Sequence, residues 1–123
     1  MNLVVVFAGG GIGACARYLM QGLVYRWTGT GFPYGTLAVN VLGSLIIGLL
    51  MASMEERFLV NPSVRLFLTV GILGGFTTFS SFSYETIALF LEGSIAAALA
   101  NAGLNLMLCL AATWIGIALG RLI

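Results

Sequence analysis

Charged positions are so sparse along this chain that the runs between them define its elements. Residues 27–54, 66–84 and 93–120 contain no Asp, Glu, Lys or Arg. A membrane span needs roughly 20 mostly apolar residues, so each run is long enough to cross a bilayer or nearly so. The stretch from Leu3 to about Val24 is a fourth candidate, interrupted only by Arg17. The pattern predicts an all-α membrane protein, one domain over residues 1–123, with helices at about 3–24, 33–54, 64–91 and 95–120. Turn chemistry falls between these runs: Gly29-Thr30-Gly31, then Pro33 for a first helical turn, then the polar Glu55-Glu56-Arg57 closed by Asn61-Pro62-Ser63, and finally Glu92-Gly93. The first apolar stretch lacks a basic leader and outruns a signal sequence, so it is expected to stay as the first span.

Composition strengthens that picture. Apolar residues make up 60% of the chain, charged residues 7%, and the mean hydropathy is +1.09. A soluble domain carries roughly a quarter of its residues charged. The net charge is +1 with every basic residue an arginine and no basic patch, which leaves nucleic-acid binding unsupported. Histidine is absent, and Cys15 and Cys109 lie in separate spans, so both are expected to be reduced packing residues without metal-ligand spacing.

The 17 glycines recur as spaced pairs, Gly9 with Gly13, Gly71 with Gly75, and Gly116 with Gly120. In lipid, helices associate through close backbone approach, and such pairs mark packing faces. The cluster Gly9-Gly10-Gly11-Ile12-Gly13 looks like part of a dinucleotide loop, but no soluble βαβ unit surrounds it. Packing is the better account.

The chemistry is concentrated in Gly74-Gly75-Phe76-Thr77-Thr78-Phe79-Ser80-Ser81-Phe82-Ser83-Tyr84-Glu85, within the third span. Adjacent glycines followed by two β-branched residues make poor helix. Irregular backbone at membrane depth is tolerated only where protein or a polar cavity satisfies it. A break at about residues 74–78 is therefore expected, with a kinked continuous helix as the alternative. The carbonyl end of the first half-helix suits a cation, and the N–H end of the second suits an anion. Phe79 and Phe82 share a face, beside a polar stripe of Thr78, Ser81 and Glu85. Ring edges are positive, so the two phenylalanines can present an anion with favourable edges or can simply pack.

Other polar residues sit inside spans. Arg17 either snorkels toward the loop holding Arg26 or attracts anions. Asn40, with Thr36 one turn earlier, either donates to an anion or joins helices. Asn101, Asn105 and Cys109 recur at helical spacing on the fourth span and must face protein or water.

These segments together resemble the Fluc (CrcB-type) fluoride channel family over essentially the whole length. Gly-Gly-Ile-Gly-Ala-Cys-Ala-Arg-Tyr at 10–18 is similar to its first-helix signature, Gly35-Thr36-Leu37-Ala38-Val39-Asn40 to its second-helix motif, and Gly74 through Glu85 to its most specific one. The resemblance implies an antiparallel, dual-topology homodimer with two fluoride paths. It implies a central sodium ion held by backbone carbonyls of Gly74 and Thr77. It assigns the fluoride path to Phe79, Phe82 and Asn40, with Thr78, Ser81, Glu85, Arg17 and Asn105 alongside. Ser81 stands where many relatives have threonine, and Cys109 stands where a hydroxyl is usual. The implied function is passive export of cytoplasmic fluoride across the bacterial inner membrane.

Charge placement bears on topology independently. Arg57, Arg65 and Arg121 fall on one side, and Arg26 on the other, joined by Arg17 if it snorkels. So weak a bias suits insertion in both orientations, or a partner of opposite bias. A small multidrug-type exporter is the main rival, but its family uses a first-helix glutamate, and the first span here has no acidic residue. A non-conducting membrane subunit leaves the polar cluster of the third span unused. An enzyme lacks both histidine and an intramembrane carboxylate pair.

Overall fold

The computed structural model describes residues 1–57 and 60–123, so positions 58 and 59 of the expected polar loop lie outside the described residues. Four helical spans cross the fold. Helix α1 (Asn2–Thr28) has 27 residues and α2 (Tyr34–Glu56) has 23. The third span is composite: α3 (Pro62–Leu66), a π-helical segment Phe67–Leu73, the single turn α4 (Gly74–Phe76), and then α5 (Phe79–Leu91). Helix α6 (Ile95–Leu122) has 28 residues. At 1.5 Å per residue the longest helices reach about 40 Å, beyond a hydrocarbon core of about 30 Å. All four spans are long and apolar enough to cross a membrane, so this is a multi-pass membrane protein.

Local chemistry sets the ends. Gly29 stops α1 at φ 73°, in the left-handed region that other residues avoid, and its N–H returns to Tyr25 O at 2.9 Å. Gly93, at φ 87°, makes the tight turn from α5 into α6. Asn61 caps α3 by accepting from Ser63 N–H at 2.8 Å, with Pro62 in the first turn. Helix α1 runs past the expected end at Val24 because no breaker intervenes before Gly29.

Two glycine seams hold the spans together. Gly9 and Gly13 of α1 face the third span, where a β-carbon on Gly9 would lie 2.9 Å from Gly71 Cα. One on Gly13 would overlap the Ile72 carbonyl oxygen. Across the molecule α2 packs most extensively on α6. Gly48 abuts the Thr113 carbonyl there, Gly116 the Leu45 carbonyl, and a β-carbon on Gly120 would come 2.5 Å from Leu49 O. The paired glycines expected to pack therefore do so, by backbone approach.

The break is real but narrower than the expected 74–78. Gly74 is helical at φ −62°, ψ −38°, and the chain leaves the helix only at Thr77 (φ −84°, ψ 157°) and Thr78 (φ −149°, ψ 114°). The glycine pair does not break the helix, because packing uses Gly75: a β-carbon there would sit 2.5 Å from Gly10 O.

Candidate functional site

Two extended residues inside a span leave backbone groups that lipid cannot satisfy. In a continuous helix Thr78 N–H would bond to Gly74 O. Here Asn40 of α2 takes it instead, accepting from Thr78 N–H on Oδ1 at 2.8 Å and donating from Nδ2 to Thr78 O at 3.1 Å. One carboxamide thus closes both backbone groups of a residue that is 5% exposed. The Thr78 side chain then caps α5. Its Oγ1 accepts from Ser81 N–H at 3.2 Å and donates to Ser81 Oγ at 3.1 Å.

Asn40 is itself held from α6. Its Nδ2 donates to Asn105 Oδ1 at 3.2 Å. Asn105 Nδ2 donates back one turn to Asn101 O at 2.9 Å and Asn101 Oδ1 at 3.0 Å. Asn101, fully buried, donates to Thr86 Oγ1 at 2.9 Å, and Thr86 donates to Phe82 O at 2.7 Å. A continuous hydrogen-bonded line therefore runs from the break through α2 and α6 back to α5.

Beside this line a cavity of about 510 Å³ opens between α2, the break, α5 and α6. Asn40, Thr77, Thr78, Phe79, Phe82, Asn105 and Cys109 all line it, as does Ser44. The phenylalanine rings lie 5.3 Å apart, tilted by 59°, and Phe79 is 78% exposed. The cavity walls are mostly apolar, and the lining includes the two phenylalanines, Thr77, Thr78 and thus the N-terminal end of α5. That combination supplies positive partial charge without a formal cation.

Several expected members are elsewhere. Ser81 turns to the Thr78 hydroxyl and does not line the cavity. Glu85 does not join a stripe with Thr78 and Ser81: its Oε1 accepts from Thr36 Oγ1 at 2.8 Å, and Thr36 accepts from Gln21 Nε2 at 3.1 Å. Glu85 lines a second cavity of about 270 Å³ with Tyr25, Tyr84 and Glu92. Its Oε2 is buried without a hydrogen-bond partner among the described residues. Arg17 is half-buried on α1 and lines neither of these two cavities. Gly74 is exposed on the outside of the chain. Sequence inspection passed over Gln21 and Thr86. Gln21 follows Arg17 by one helical turn, and that spacing is the one signal that could have singled it out.

The described residues contain no cluster of His, Cys, Asp or Glu fit to hold a metal ion.

Residues 4–117 match the family model described as CrcB-like protein, Camphor Resistance (CrcB). The chain is 46% identical over 121 residues to a fluoride-specific ion channel FluC of Geobacter metallireducens, covering 98% of each. It is 46% identical over 123 residues to a protein of the same name from Magnetococcus marinus, covering 100% of both. A third, from Geobacter sp. strain M21, is 44% identical over 120 residues, 98% of this chain and 97% of that protein. With both ends of the chain matched at this identity, and the broken third span sitting where the family signature falls, the chain belongs to the CrcB family.

Proposed function

We propose that this protein is a fluoride-selective passive channel of the bacterial inner membrane, conducting cytoplasmic fluoride outward down its electrochemical gradient. The observation that carries the reading is the cavity at the break, where Phe79, Phe82, Asn40 and Thr78 meet between half-helix ends. Fluoride is small and strongly hydrated, so a pore must replace its water with donors. Ring edges and amide or hydroxyl hydrogens do so without a full positive charge, which would hold the ion too tightly for rapid exit. The names of the full-length relatives point the same way.

The working unit is an antiparallel pair of copies in the bilayer. The weak arginine bias supports it, as does the exposure of Gly74 and Phe79 on one chain, which a second copy would cover. Gly74 and Thr77 would hold a sodium ion by their carbonyl oxygens. The donor set fits, because Gly74 O loses its helical N–H when Thr78 turns to Asn40, and neutral oxygens suit a hard cation. When bound, the ion would neutralise the carbonyl end left by the break. Arg17 and Glu85 flank this path rather than form it, Glu85 through Thr36 on the loop side of the fold.

The test is ion efflux from liposomes holding purified protein, loaded with potassium fluoride and supplied with valinomycin. Fast fluoride release with little chloride release is expected. Equal release of both ions, or none from a homogeneous folded dimer, would overturn the reading.

A further inference from the structure

We propose that Asn105 is a positioning residue whose carbonyl oxygen stands in for the anion, occupying an Asn40 hydrogen that fluoride must take over. This rests on the fluoride-channel reading above. It differs from treating Asn105 as a donor to the ion.

Backbone groups fix the sense of the amide line at both ends. Thr78 N–H can only donate, so the Asn40 atom facing it at 2.8 Å is Oδ1. Asn40 Nδ2 then faces Thr78 O and Asn105, and the Asn105 atom it meets at 3.2 Å must be an acceptor. At the other end, Asn101 O can only accept, so the Asn105 atom 2.9 Å from it is Nδ2. The two ends require the same orientation, and no flip of either amide satisfies both.

Asn40 has two hydrogens on Nδ2, one given to Thr78 O and one to Asn105 Oδ1. Asn105 has two, given to Asn101 O and Asn101 Oδ1. Neither residue keeps a free donor for an ion in the cavity. Asn105 cannot release a hydrogen without unpairing an amide that is 5% exposed. Asn40 cannot leave Thr78 O without opening the break. The one bond whose loss frees a donor toward the cavity while keeping both the break and the Asn101 contacts is the longest, Asn40 to Asn105; both residues line the cavity, and the cost is an unpaired Asn105 Oδ1. Fluoride entering there competes with Asn105 Oδ1 for one hydrogen. The spent bond offsets part of the attraction, so the ion is held loosely enough to leave.

Protein labelled with ¹⁵N-asparagine in nanodiscs is titrated with sodium fluoride against a sodium chloride control. One Asn40 side-chain proton is expected to move while the Asn105 protons stay, with Asn40→Ala used only to assign the signal. In Asn105→Leu, which has no acceptor, the midpoint is expected to fall roughly fivefold, the worth of one net hydrogen bond. Asn105→Ala, which also lacks the acceptor, serves if the leucine variant does not fold. Asn105→Asp keeps an acceptor, and its midpoint should not fall. A midpoint unchanged or raised in the acceptor-free variant, or movement of the Asn105 protons instead, overturns the inference. The flux assay on the parent protein reports separately on the channel itself. A parent that binds fluoride at Asn40 but does not conduct would sink that reading and leave this one standing.

Discussion

Asn40→Ala removes three hydrogen bonds at once, those with Thr78 N–H at 2.8 Å, Thr78 O at 3.1 Å and Asn105 Oδ1 at 3.2 Å. The first two matter most, because they leave both backbone groups of a 5% exposed residue unpaired. An unsatisfied buried group costs about 1–3 kcal/mol, so the pair costs about 2–6 kcal/mol. Water in the adjoining cavity can reach part of that site, which places the expected loss at about 2–4 kcal/mol. The chain has one escape. Thr78 N–H can return to Gly74 O, joining α4 to α5, but closing the break turns Phe79 and Phe82 away from their present face. The variant should therefore lose stability, conduction, or both. Thermal unfolding in detergent, followed by tryptophan fluorescence, and fluoride efflux from liposomes measure the two. Asn40→Asp is the companion: one oxygen still accepts from Thr78 N–H, but the other now faces two acceptors. An Asn40→Ala protein that unfolds within about 0.5 kcal/mol of the parent and conducts at the parental rate would refute the claim that this amide holds the break.

Other outcomes follow from the same structure. Gly13→Ala drives a methyl into the Ile72 carbonyl and to 2.9 Å from Phe76 N, so a loss of about 1–3 kcal/mol is expected in the same melting assay. Gly22→Ala, on the same helix with nothing within 4 Å, should be neutral or stabilising by up to about 1 kcal/mol. Phe82→Ile keeps apolar bulk but removes a ring edge from the cavity, and fluoride efflux should fall sharply while the oligomer survives on size-exclusion. Thr77→Ala gives up one hydroxyl bond, to Leu73 O at 3.0 Å, and keeps its carbonyl. A change under about 1 kcal/mol with unaltered oligomerisation is expected; loss of the oligomer would assign the side chain a role beyond its carbonyl.

The four spans are legible in sequence because lipid tolerates few charges, so the runs between Arg, Glu and Asp mark the helices almost directly. The glycine pairs are legible for a related reason, since small residues at helical spacing have one main use in a bilayer. The break is expected over 74–78 on propensity, and it occupies only Thr77 and Thr78, the C-terminal end of that range. Propensity describes an isolated helix, whereas Gly75 is clamped against Gly10 and Ala14 of α1. Glu85 shows the same limit from the other side. Spacing along α5 groups it with Thr78 and Ser81, but its partner is decided by how α5 sits on α2, which puts Thr36 at 2.8 Å. Gln21 and Thr86 acquire their meaning only from that inter-helix register. The π-helical segment Phe67–Leu73 has no sequence signal among its residues that we can identify.

The dependence of the break on Asn40 and Asn105 has a consequence for biogenesis. The ribosome delivers α2 before the third span and α6 after it, so the two asparagines arrive on opposite sides of the event they support. Asn40 is already in place when Thr77 and Thr78 enter the bilayer, and it can capture the Thr78 backbone as soon as the two spans meet. A third span inserted without α2 has no partner for that backbone and gains by closing into one helix. Until α6 emerges, the second Asn40 hydrogen stays unpaired, and a nascent chain stalled before Ile95 is held at the break by α2 alone. The order of synthesis thus matches the order in which the site can be built, scaffold first and lock last.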